Sequence, residues 1–255
     1  MKIVNFFPRA IEKRYALALS RIFMQWLTDL IRDLKGELPG VIKEAHRYDE
    51  ARNDLDFAHL IRVVIEKHKM GFSIFAKMAE SQAGTTFNSV DKWTKRQQQR
   101  VEKAIGIDLR KTELYKSGVA STFVHQNVGL ITKLSGEMAG KLESIIYSGI
   151  QTGKLTRDIA ADIRAVSDIG RYRSLLIARD QVAKLNSQLT RVRQTKAGVE
   201  KYTWETADDE RVCDVCDNRD GEVYSWSKPP FPGTIHVGCR CGSSAVLDDL
   251  LQEAA

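Results

Sequence analysis

The chain has 255 residues, 43% of them hydrophobic and 28% charged, with a formal net charge of +6 at pH 7. This length and apolar content suffice for one large domain or two smaller ones, and the basic balance permits contact with nucleic acid or an acidic protein surface without requiring it. No run of 18 apolar residues predicts a membrane-spanning helix, and the first eight residues lack the apolar core of a signal peptide.

The first third of the chain has a helical pattern. Apolar residues recur at three- and four-residue steps, which predicts amphipathic helices over residues 10–35 and 57–79. Gly36 and the Pro39-Gly40 pair predict the end of the first helix. Residues 81–121 are polar and basic, and we expect a solvated connector between helices. A surface for DNA or an acidic partner is the alternative use of this segment.

The helical pattern resumes over residues 121–149. Thr156 is a good N-cap for a short following helix, which residues 168–170 are expected to break. The next helix, residues 171–197, has a coiled-coil-like apolar seam and ends at Gly198. Its other faces are strongly basic and predict a nucleic-acid or partner surface made of Arg171, Arg173, Lys184, Arg191 and Arg193. Phosphates and acidic neighbours in an assembly would both fit this surface.

After Gly198 the pattern changes from helix to strand. Residues 200–206 and 222–226 alternate in polarity, as half-buried strands do, and turns lie between them. The predicted fold class is therefore mainly α, a long-helix bundle followed by a small C-terminal β module that zinc stabilises (α+β).

All four cysteines lie in this module, as Cys213-x-x-Cys216 and Cys239-x-Cys241, and His236 precedes the second pair. This spacing suits one tetrahedral zinc ion, which takes four ligands. Cys213, Cys216, Cys239 and Cys241 would form an all-sulfur site, which we favour. His236 in place of Cys239 or Cys241 is the alternative ligand. Disulfides and free buried thiols are the remaining interpretations, although a reducing cytosol favours metal binding.

We predict a structural ion. No carboxylate is well placed to act as a general base beside an open zinc position. A module of roughly 45 residues has little core of its own, whereas a structural zinc ion supplies apparent folding free energy of roughly 10–16 kcal/mol.

A longer motif surrounds the candidate ligands. It reads Trp204-x-Thr206-x-x-Asp209-x-Arg211-x-Cys213-x-x-Cys216, then Gly221, Pro229-Pro230 and His236-x-x-Cys239-Arg240-Cys241. This motif resembles the C-terminal signature of phage head morphogenesis proteins, the phage Mu F-like minor capsid proteins. Upstream, Asn127-x-x-Leu130-Ile131, the Gly149/Gly153 turn and Ile177-Ala178-Arg179 resemble the helical part of that domain, so the resemblance covers residues 120–245. Asp180-Gln181 stands where family members often have Thr-Glu.

The resemblance implies a minor head protein of the virion, made in the host cytoplasm. Its partners would be the phage portal protein and the procapsid, and it would act in head morphogenesis and contact packaged DNA or be ejected with it. The expected organisation has four parts: residues 1–118, a helical region for portal or partner docking; 119–198, the helical part of the head morphogenesis domain; 199–247, the zinc-binding β module; and 248–255, an acidic tail.

Two other function classes are alternatives. A nucleic-acid-binding zinc protein would use the basic faces described above. An enzyme, such as a toxin or nuclease, is the weaker alternative. The sequence contains no Gly-x-Ser-x-Gly motif, no phosphate-binding glycine loop and no His-Glu-x-x-His motif, so we predict no enzymatic activity.

Overall fold

The structure, a computed structural model, describes residues 4–5, 7–45, 54–106 and 116–247. Its elements are β1 (Val4–Asn5), α1 (Arg9–Ala45), α2 (Asp54–Ile105), α3 (Lys116–Gln151), α4 (Thr156–Lys196), β2 (Lys201–Glu205), α5 (Asp214–Asp217), β3 (Val223–Ser225) and β4 (Gly242–Ala245). The predicted fold class, mainly α with a small C-terminal β module, is confirmed. No helix in the described ranges combines the length and apolar character that crossing a membrane requires.

The chain forms two compact units, each assembled from separate stretches of sequence. Unit 1 comprises residues 1–15, 83–125 and 178–255, and unit 2 comprises residues 16–82 and 126–177. Helices α1 to α4 each contribute residues to both units. The units therefore cut across the expected boundaries near residues 118 and 198, and those functional ranges stay predictions. The expected acidic tail lies outside the described residues.

Unit 2 packs around apolar side chains from four helices. The buried positions follow helical spacing: Leu19, Phe23, Trp26 and Leu30 on α1, Ile61, Ile65 and Phe72 on α2, Ile131, Leu134 and Met138 on α3, and Ile159 and Ile163 on α4. The Trp26 ring meets Phe72 edge to face, with centroids 5.5 Å apart. Its indole N–H donates to the His68 carbonyl at 3.2 Å. The predicted apolar stripes are thus core-facing.

Helix α4 is continuous from Thr156 to Lys196, so the predicted break at residues 168–170 is wrong. A Cβ at Gly170 would lie 2.5 Å from Cε1 of Phe23. The absence of a side chain at Gly170 lets α4 pack closely on α1, and the backbone at this residue stays helical.

Two other predicted ends are also wrong. Helix α1 continues past Pro39 to Ala45, so Pro39 lies inside the helix and does not end it. Helix α2 includes residues 81–105, which we expected to form a connector. Its buried face in that segment mixes apolar and polar side chains, namely Phe87, Val90, Asp91, Thr94, Gln97 and Val101. Because polar residues interrupt the apolar spacing, the sequence pattern does not predict that this face is buried.

A buried ion pair joins α4 to α2 in unit 1. Arg193, which is 5% exposed, donates to Asp91 Oδ1 at 2.6 Å and to Thr94 Oγ1 at 2.5 Å. Near the start of α1, Glu12 accepts a 2.9 Å hydrogen bond from Arg179 of α4. Charged residues of α4 therefore hold helices together within this unit.

The sheet of unit 1 has the strand order β1-β4-β2-β3, with every neighbouring pair antiparallel. Strands β2 and β3 confirm the two predicted strand segments. Val4 of β1 pairs with Ser244 of β4, which in turn pairs with Thr203 of β2. The sequence does not reveal β1 or β4, because one has two residues and the other, Gly-Ser-Ser-Ala, has no β-branched or aromatic residue.

The buried ion pair generates a stability prediction. Arg193→Met leaves the Asp91 carboxylate buried without its cation, and we expect the free energy of unfolding to fall by about 3–5 kcal/mol. Arg171→Met, at an exposed position of the same helix, is the control and should change it by less than about 0.5 kcal/mol. Urea unfolding followed by circular dichroism measures both, and equal effects would contradict a structural role for the pair.

Candidate metal centre

The first cysteine pair lies on a short helical turn. Cys213 is the N-cap residue of α5, with extended backbone angles, and Cys216 is buried inside the turn. The Cys216 N–H donates to the Cys213 carbonyl at 2.8 Å. This turn brings both sulfur atoms near the same imidazole nitrogen.

The second half of the motif meets this pair. His236 Nε2 lies 3.2 Å from Cys213 Sγ and 3.4 Å from Cys216 Sγ. Cys239 Sγ lies 3.8 Å from Cys216 Sγ. Two groups have ligand atoms within 4.8 Å of one another: Cys213, Cys216 and His236, and Cys216, Cys239 and Cys241. Either group could hold a metal ion, and Cys216 belongs to both.

The distances between the sulfur atoms fit a tetrahedral zinc site. Four ligands at about 2.3 Å from a tetrahedral zinc ion place their sulfur atoms about 3.8 Å apart, which is the observed Cys216–Cys239 separation. A disulfide needs about 2.05 Å between sulfur atoms, and all four cysteines are free thiols. The geometry therefore suits a shared ion better than a disulfide.

The imidazole of His236 is held in an orientation that suits a ligand. Its Nδ1 lies 3.1 Å from the Val237 carbonyl oxygen. A carbonyl only accepts, so Nδ1 carries the proton and the Nε2 lone pair points toward the thiols. Metal-binding histidines commonly use the second ring nitrogen in this way. Burial lowers the pKa of His236, but the Val237 carbonyl and the charge on Cys239 and Cys213 outweigh it and raise this pKa above its ordinary value.

The thiols differ in how readily they ionise. A hydrogen bond from the Cys241 thiol lowers the pKa of Cys239 to about 5, and the same contact raises the pKa of Cys241. The Cys216 backbone N–H lowers the pKa of Cys213, whereas burial raises the pKa of Cys216 to about 12. Metals bind thiolates, so Cys239 and Cys213 are the sulfurs best prepared to bind.

A small aromatic core supports the cluster. The cysteines at 216, 239 and 241 are buried with Tyr202, Trp204 and Trp226. The Trp226 indole N–H donates to Gln194 Oε1 of α4 at 2.7 Å, and the Arg191 guanidinium of α4 lies 4.2 Å from the Phe231 ring centroid. Helix α4 thus supports the module from one side within unit 1.

An ion pair closes the loop before the first cysteine. Both terminal nitrogens of Arg240 donate to the carboxylate of Asp209, each at 2.5 Å. The Arg240 hydrogen bonds lower the pKa of Asp209 to about 2. These two motif residues therefore tie the Cys213 loop to the Cys239–Cys241 segment.

The predicted basic surface needs one correction. Arg193 is buried in its ion pair with Asp91, so it is not part of any surface. The other four differ in their contacts: Arg171 is exposed, Arg173 pairs with Glu137, Lys184 pairs with Asp180 at 2.6 Å, and Arg191 stacks on Phe231. A binding role for these four stays a prediction.

Comparisons with known proteins agree with the motif. Residues 140–244 match the family model described as phage Mu protein F like protein, and this segment contains all five candidate metal ligands. An uncharacterized protein of Haemophilus influenzae is 34% identical over 127 residues, a match that covers 48% of this chain and 28% of the relative. The chain therefore spans less than a third of that relative's length. No solved structure matches the chain. The predicted resemblance is confirmed: residues 140–244 of the chain are similar to the phage Mu F-like family.

Proposed function

We propose that the chain is a minor phage head protein that acts in head morphogenesis, with a structural zinc ion closing its C-terminal module. The observation that carries this proposal is the family match over residues 140–244. The five metal-ligating groups that converge inside that segment support the zinc ion. We place the protein in the virion, with the portal and procapsid as its partners.

We further propose that Cys213, Cys216, His236 and Cys239 are the four ligands. In this set both halves have the same spacing, with two residues between ligands. The short distances from His236 Nε2 to two sulfur atoms support its inclusion. Cys241 then acts as a thiol that donates to Cys239. A set of three thiolates and one imidazole favours zinc among the common metals.

A structural role suits the composition of the site. Among the described residues, the two ligand groups contain cysteine and histidine and no carboxylate. When bound, the ion would fix two loops that have little regular secondary structure of their own. The residues of the chain supply the thiolates, orient the imidazole and exclude water with the aromatic core.

An exposed apolar stripe supports the docking part of the proposal. Val63, Met70, Ile74 and Met78 lie on one face of α2 in unit 2, and each is at least 42% exposed. Contiguous exposed apolar surface on a folded protein commonly marks a protein interface. We propose that the portal or procapsid covers this stripe.

The ligand set generates a metal-binding prediction. Wild-type protein purified without chelator should contain one zinc ion per chain, measured by plasma mass spectrometry. Cys239→Ser and His236→Ala should each lose this ion to a competing zinc-binding dye, because each removes a ligand. Cys241→Ser should retain the ion, because residue 241 is not a ligand in this set and a serine hydroxyl can still donate to Cys239.

The same three variants distinguish the set that includes His236 from the all-sulfur set. If Cys241→Ser loses zinc and His236→Ala retains it, the all-sulfur set is the correct one. A wild-type protein that binds no zinc under reducing conditions would contradict the metal site altogether.

The apolar stripe generates a docking prediction. Ile74→Glu places a charge on the stripe and should reduce incorporation into procapsids at least tenfold, measured by immunoblotting of procapsids assembled with portal and capsid proteins of the same phage. Ser73→Glu adds the same charge at the adjacent exposed position and should incorporate normally. Equal incorporation of the two variants, both folded by circular dichroism, would reject this docking surface.

A further inference from the structure

A large pocket lies within unit 1, next to the Cys239–Cys241 segment but lined by none of the cysteines. Its volume is about 840 Å³, and it is lined by the start of α1, one face of α2, residues 205–208 after β2, and residues 240 and 242 at β4. Ligand pockets for small molecules typically measure about 300–1,000 Å³. The space is thus large enough for a nucleotide.

Two helix faces supply most of the wall. Residues 7–11 and 14 line the pocket at and beside the N-terminus of α1, and residues 89, 92, 93 and 96 line it on α2. The α2 set follows the three- and four-residue steps of a single helix face. The first turn of α1 also directs the positive end of a 37-residue helix into the pocket.

The charged side chains of the lining are mostly cationic. Five basic side chains face two carboxylates, those of Glu205 and Asp208. Arg240 and Arg9 both approach the carboxylate of Asp209, Arg9 at 3.7 Å, and this one carboxylate offsets one of their two charges. The other three, Arg14, Lys92 and Arg96, are exposed, and none pairs with a carboxylate in the described part of the chain. They leave the pocket with uncompensated positive charge.

The ring of Trp93 favours a nucleic-acid phosphate over the carboxylates of an acidic peptide as the ligand of this pocket. Trp93 is half-buried in the wall between Lys92 and Arg96. An indole beside guanidinium groups suits a phosphate with a base attached, because the ring stacks on the base while the cations contact the phosphate. An acidic peptide offers carboxylates but no flat ring for Trp93.

We propose that this pocket binds single-stranded nucleic acid, with phosphates on Arg14, Lys92 and Arg96 and a base against Trp93. The site uses none of the candidate metal ligands and none of the basic residues of α4. It therefore stands independently of the assignment as a head protein, which would survive its failure.

The test measures binding of a fluorescein-labelled oligothymidylate of about twelve nucleotides to the full chain by fluorescence polarisation. Replacing Arg14, Lys92 and Arg96 together by Gln should weaken binding at least tenfold. The matched control replaces Lys13, Lys95 and Arg100, which are exposed cations on the same helices outside the pocket, and should weaken it less than threefold. Circular dichroism checks that both triple variants fold.

Two further readouts address the chemistry of the ligand. Three phosphate contacts to a single strand predict that the logarithm of the association constant falls with log salt at a slope of roughly −2, and the pocket variant should flatten this slope. Trp93→Leu should weaken binding about tenfold, and Trp93→Phe should retain most of it.

Three results would overturn the proposal. The first is equal loss of binding in the pocket and control variants. The second is equal affinity for the oligothymidylate and a duplex of the same length. The third is displacement of the oligonucleotide by a polyglutamate peptide of matched charge as efficiently as by unlabelled oligothymidylate, which would assign the pocket to an acidic protein partner.

Discussion

Four sulfur atoms and one imidazole nitrogen converge in a part of the chain that has short strands and a small aromatic core. Strands β2, β3 and β4 have five, three and four residues, and long loops separate them. Small modules of this kind usually need a disulfide or a metal ion in addition to their core. The Cys213–Cys241 cluster brings ligand atoms of both loops within 4.8 Å of one another, and the Arg240–Asp209 ion pair links the same two loops.

Helix α4 and strand β1 connect this module to the rest of unit 1. A Cβ at Gly233 would lie 3.0 Å from the Ala183 carbonyl oxygen, so glycine permits the proline-rich loop to pack directly on the helix. Glycine also permits the positive φ of +78° at this position. The pairing of β1 with β4 adds residues from the opposite end of the sequence. The module is thus assembled from distant segments, although its metal ligands are close in sequence.

The sequence predicts the features that depend on local patterns. Apolar spacing predicts the core faces of α1 and α3, the cysteine spacing predicts the ligand cluster, and Gly198 ends α4 with φ of +84°. Features that depend on distant contacts are not predicted. In sequence, Gly170 indicates a helix break, but the structure shows that it makes room for the Phe23 ring. Arg193 similarly indicates a surface cation, but its guanidinium lies 2.6 Å from Asp91. The cationic pocket also escapes sequence analysis, because its two helix faces are about 80 residues apart.

We propose that a metal ion holds the C-terminal module together while the helices fold on their own packing. Amide hydrogen exchange of the reduced protein, with and without a zinc chelator, tests this claim directly. Chelation should increase exchange across residues 201–245 and leave the buried stretches of α1 and α3 protected. Unchanged protection of residues 201–245 after complete removal of zinc would contradict a structural role for the ion.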